Sequence, residues 1–143
     1  MTETATVGPL GLSVGQRARR TQTVTTRHLE LYAEITGDRN PLHFDPDFAA
    51  RTRFGKLVAQ GGITSGMLNA LVAMDMPGPG TVFMSQSLTY LAPAYVGDTL
   101  TAEAEVLGLK PDKPVCRLKV TITNQAGTTL LEGECWTYTL QPS

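Results

Sequence analysis

Cysteine is scarce in this 143-residue chain, charge is nearly balanced and long apolar runs are missing, and each shortage removes a class of protein. Cys116 and Cys135 are too few for a disulfide framework and sit in neither CxxC nor Cys/His zinc spacing. They read as inert buried hydrophobes in a reducing compartment. Lysine plus arginine total 12 against 13 acids, a formal charge of -1, so there is no basic footprint for nucleic acid or anionic lipid. No apolar run reaches the roughly 18 residues of a membrane span. Met1 to Gly8 lacks the cationic and apolar regions of a signal peptide. These absences predict a soluble cytoplasmic protein with neither nucleic acid nor membrane as partner.

What is present suffices for one core. Hydrophobic residues make up 41% and charged residues 17%, a composition that excludes disorder for most of the chain. The length fits one domain, 1–143, in which the threonine- and glycine-rich residues 1–11 form a loose N-terminal arm.

A polar alternation over Arg17 to Val24 gives weak support to an edge strand. Thr26 can cap a helix carrying the stripe Leu29, Tyr32, Ala33, Thr36, which Gly37 ends. Pro41 bars helix across Asp38 to Asn40 and leaves Asp38, Asn40 and His43 on a stiffened loop, after which Asp45 and Pro46 start a short helix. A longer, mostly buried helix is predicted from Gly61 to about Met74, with Ile63, Met67, Leu71 and Met74 at helical spacing and Leu68 and Val72 widening the stripe. Beyond the stop at Pro77 to Gly80 the period becomes 2. Four strands are predicted: Thr81 to Ala92, with Val82, Met84, Leu88 and Tyr90 on one face, Thr99 to Val106, Val115 to Thr123 and Thr128 to Leu140. Their connections are short enough for antiparallel neighbours. The expected class is α+β, a curved antiparallel sheet covering one long central helix, and the edges of such a sheet favour a homodimer or higher homo-oligomer.

The stretch Asp38 to His43 is the most informative. It holds a carboxylate and an imidazole on a proline-stiffened loop, a pair able to divide proton acceptance and donation near neutral pH, with Asn40 placed to position a water or orient either partner. A helix-stopping aspartate and a satisfied core histidine fit the same spacing.

The run Tyr32 to His43, followed by Ala49, resembles the hydratase 2 motif of MaoC-like (R)-specific enoyl-CoA hydratases, with every fixed polar position present. The likeness continues through Gly61 and Gly62, the Pro77 to Gly80 stop, Gln86-Ser87-Leu88 and the Pro93 to Asp98 turn. It implies a hot-dog fold, usually dimeric, in which Asp38 and His43 are the catalytic dyad. The implied reaction adds water to a trans-2-enoyl thioester, giving the (R)-3-hydroxyacyl product, or runs in reverse, without metal or redox cofactor. The thioester is carried by coenzyme A or an acyl carrier protein. The resemblance also implies that backbone N–H groups at Gly61, with Gly62, stabilise the thioester oxyanion. Adjacent glycines fit tight packing of a helix start equally.

Two positions depart from the family pattern. Gln60 stands where many relatives have histidine, and Asn69 where several have a serine that faces the dyad. Asn69 can hydrogen-bond Asp38 or water, and its larger amide can shorten the acyl pocket. It also fits an exposed helical position. Among other residues, His28 lacks an evident partner, Asp45 is a helix cap rather than a metal ligand, and Trp136 and Tyr138 serve packing or dimer contact. The groups Lys110, Lys113, Arg117, Lys119 and Arg51, Arg53, Lys56 are both candidates for coenzyme A phosphates. The alternatives to a hydratase are a hot-dog acyl-CoA thioesterase and a non-catalytic acyl-thioester binding module.

Overall fold

The computed structural model of the protein describes residues 8–143. Most of the expected loose arm, residues 1–7, lies outside the described residues. Residues 8–11 form a turn in which Leu10 is partly buried against the core, and Leu12 after it is buried.

Strand β1, Arg17–Thr23, leads to α1, Thr26–Thr36, and two short helices, α2, Pro41–Phe44, and α3, Pro46–Ala50. The central helix α4, Gly61–Ala70, runs directly into a π-helical turn, Leu71–Asp75. Strands β2, Thr81–Tyr90, β3, Thr99–Leu109, β4, Val115–Thr123, and β5, Thr129–Thr139, complete the chain. All pair antiparallel in one sheet, in the order β1-β3-β4-β5-β2. The alternation of β3 and β4 places Leu100, Ala102, Ala104 and Val106, with Cys116, Leu118, Val120 and Ile122, in the core. Leu68, Leu71 and Val72 of the central helical run join the same cluster. Full burial of each such leucine or valine contributes roughly 1.5–3 kcal/mol. The result is the α+β layering of a sheet around one helix.

Several local expectations are corrected. Thr25, not Thr26, is the N-cap of α1; its hydroxyl accepts from the His28 amide while the His28 Nδ1 accepts from the Thr25 amide, so His28 has a partner after all. Gly37 does terminate α1, in the left-handed region at φ 82°. His43 lies on α2 rather than on a loop, because Pro41 suits the first helical position and Asn40 supplies the cap. Met74 is exposed, since the wider π turn carries it off the buried stripe. In β2 a bulge between Phe83 and Ser85 shifts the alternation, so Phe83 before it and Leu88 after it pack on the core while Val82 and Met84 are exposed; Tyr90, two residues past Leu88, is half exposed with its ring beside Gly61. β2 and β3, although consecutive, are not neighbours: the chain crosses so that β2 pairs with β5 at the sheet edge.

Candidate active site

The segment between α1 and α2 is stiffened by its own side chains. The Thr36 hydroxyl donates to the Tyr32 carbonyl and accepts from the Asp38 amide at 3.1 Å, and Asp38 Oδ1 accepts from the Asn40 amide at 3.2 Å. Asn40 Oδ1 in turn accepts from the Leu42 amide at 3.1 Å, capping α2. One of the two polar atoms of the Asn40 amide is therefore spent on the helix start.

These bonds set Asp38 opposite His43. Asp38 Oδ2 stands 3.8 Å from His43 Nε2, with the aspartate side chain 40% exposed and the histidine side chain 9% exposed. His43 Nδ1 donates to the Val58 carbonyl at 2.7 Å, which in the neutral imidazole leaves the Nε2 lone pair facing the carboxylate. A gap of this size exceeds a direct hydrogen bond and suits one water donating to both acceptors.

Val58 belongs to an irregular segment that leads into α4. Its amide donates to the Leu42 carbonyl, and Ala59 donates to Ala94. Gln60 follows, buried to 1% exposure, with Nε2 donating to the Leu29 carbonyl at 3.0 Å and to the Asp38 carbonyl at 3.5 Å. Its Oε1 is buried without a hydrogen bond to the described residues, a loss typically costing about 1–3 kcal/mol.

At the start of α4 the N-cap offers no side-chain acceptor, and the Gly61 and Gly62 amides find none among the described residues. Such open N–H groups at a helix N-terminus favour an anionic oxygen. The two glycines differ in what they allow. A Cβ on Gly61 would stand 3.3 Å from the Tyr90 ring, whereas one on Gly62 would collide with the Tyr32 ring and hydroxyl. Gly62 is thus favoured by packing against Tyr32. Asn69 is exposed on α4, and no hydrogen bond joins it to Asp38.

Two clefts flank α4. One, of about 220 Å³, is lined by Gly61, Thr64, Tyr90, Leu91, Phe54 and Arg53. The other, of about 280 Å³, lies between α1 and α4 and is apolar, with Leu31, Ile35, Ile63 and Met67 among its walls. The dyad lines neither; it adjoins the first through Gln60 and Gly61. Of the basic groups weighed for phosphate binding, Arg53 is at the first cleft, while Lys56 lies over the Tyr95 ring at 4.5 Å. Arg117 pairs with Glu134 and Lys110 lies over Trp136. The Asp45 carboxylate caps α3, accepting from the Asp47 and Phe48 amides. Sequence reasoning missed Val58, because a backbone carbonyl carries no residue signature, and had noted Gln60 without its bonds.

The chain is 37% identical over 123 residues to an (R)-specific enoyl-CoA hydratase of Aeromonas caviae, a match covering 86% of this chain and 92% of that one. It is 43% identical over 103 residues to a 3-hydroxybutyryl-CoA dehydratase of Methylorubrum extorquens, covering 72% and 65%. Among solved structures, an unliganded (R)-hydratase of Pseudomonas aeruginosa superposes with a TM-score of 0.87 at 35% identity, over 98% of this chain and 90% of that one. Residues 11–129 match the family described as MaoC like domain, and with the sheet-wrapped helix and the Asp38 to His43 segment already in place, the chain belongs to that family.

Proposed function

We propose that this protein is a lyase that interconverts a trans-2-enoyl thioester and water with the (R)-3-hydroxyacyl thioester. The observation that carries the reading is the 3.8 Å gap between Asp38 Oδ2 and His43 Nε2, next to the open amides that begin α4. A water held by both acceptors presents its oxygen to C3. As the C3–O bond forms, the C2=C3 electron pair moves into the thioester carbonyl, whose developing negative charge the Gly61 amide, with Gly62 beside it, stabilises. The dyad takes one proton from the water and returns one to C2, ending as it began. Hydration exchanges no electrons with a carrier, so the step requires no redox cofactor. The names of the relatives, which include both a hydratase and a dehydratase, support either direction.

Arg53 at the cleft that contains Gly61 supports a thioester whose carrier ends in phosphate, as coenzyme A and the arm of acyl carrier protein both do. The test is hydration of crotonyl-CoA by purified protein, with the chirality of 3-hydroxybutyryl-CoA determined in the same run. An (R) product with wild type, and a fall of at least about a hundredfold in kcat for Asp38→Asn with the fold retained, is the expected result. A folded Asp38→Asn protein at the wild-type rate removes the dyad from the reaction. Thiol release from saturated acyl-CoA identifies a thioesterase instead, and binding without turnover identifies a binding module.

A further inference from the structure

Both members of the dyad are held from behind by one short piece of chain. Val58 accepts from His43 Nδ1, and two residues later Gln60 donates to the carbonyl of Asp38. The next peptide carries the Gly61 amide. The same Gln60 amide reaches the Leu29 carbonyl inside α1, so it ties the helix before the dyad to the helix after it. The piece is itself pinned, through the Ala59 amide on the Ala94 carbonyl and the bridge between Val58 and Tyr95. A leucine or methionine would fill the Gln60 site without stranding a buried acceptor such as Oε1. What the amide adds is its donated bonds.

We propose that Gln60 is a positioning residue for the reaction: its side-chain amide holds Asp38 at its distance from His43 and in register with the Gly61 amide. Gln60 touches no reacting atom; it acts through the backbone of Asp38. This rests on the hydratase reading for its kinetic consequence, and on geometry alone for its structural one.

Gln60→Met keeps the length and the burial but donates nothing. With crotonyl-CoA its kcat is expected to fall about ten- to a hundredfold while KM stays within about twofold, because the substrate still binds and only the carboxylate is misplaced. Its Tm is expected to equal or exceed that of wild type, the split a merely structural residue would not produce. Gln60→His, which restores a donor, is expected to recover most of kcat. Hydrogen exchange at the Asn40 amide, which reports the Asp38 carboxylate position, is expected to accelerate in Gln60→Met with β3 and β4 unchanged. A methionine variant that turns over at the wild-type rate, that loses its fold, or that leaves Asn40 exchange unaltered overturns the proposal, as does a folded histidine variant no faster than the methionine one. Absence of turnover in wild type refutes the hydratase reading instead, and the exchange measurement then decides the role of Gln60 by itself.

Discussion

At the scale of single residues, two side chains of the proposed site each have one polar atom already committed. His43 spends Nδ1 on Val58 and so presents Nε2; Asn40 spends Oδ1 on its helix. The two cysteines are free and buried in the core. Burial pushes the Cys116 thiol up to about 12, and burial, with Cys116 and Glu134 nearby, does the same to Cys135. Neither is expected to react with a thiol reagent at pH 8 in the native protein, whereas both titrate once denaturant is added; fast labelling of the folded chain would contradict their burial. Because the folded protein keeps these protons longer than the unfolded chain, the thiols favour folding below pH 9, and that contribution is lost as pH climbs towards 12. A Tm series across that range in wild type and Cys135→Ala measures it, with the smaller alkaline loss expected in the variant.

At the scale of elements, α1 and α4 meet through Tyr32 over Gly62, so the helix that precedes Asp38 and the start of α4 share one packing contact. Gly62→Ala is expected to destabilise the protein by about 1–3 kcal/mol, since the tyrosine ring must move to admit a methyl group. Thermal unfolding of Gly62→Ala, Tyr32→Ala and the double variant tests this: the two losses should fail to add, and strict additivity would show that the collision is relieved elsewhere. The Gly37 stop, the Asp45 cap and the β3–β4 alternation were legible because they depend on neighbours in sequence. The β2 face was not, because a bulge adds a residue that only its partner strand β5 reveals. The π turn after α4 was likewise invisible to a pattern that assumes one period.

At the scale of the whole molecule, the two sheet edges differ. β1 carries Arg17, Arg19 and Arg20, paired with Glu105, Glu103 and Asp75, a charged edge that resists further pairing. β2 exposes Val82 and Met84 on an edge without such protection. A second copy is expected on the β2 edge. Sedimentation should give twice the 15.4 kDa chain mass for wild type, with Val82→Lys/Met84→Lys shifted towards monomer. A wild-type monomer, or a double variant that dimerises unchanged, would place the interface elsewhere or remove it.

The sequence by itself determined the α+β class, the central helix and the chemical identity of Asp38 and His43, because helical and strand periods and proline and glycine punctuation are local properties. It also carried the family resemblance, through the spacing of one polar run. Only the tertiary structure decided how that run is used. The Asp38 to His43 distance is a tertiary outcome, and the tautomer imposed by the Val58 carbonyl and the bond from Gln60 to Asp38 join residues 15 and 22 positions apart through backbone groups that every residue possesses. A sequence names side chains, and these contacts depend on where identical carbonyls and amides come to rest.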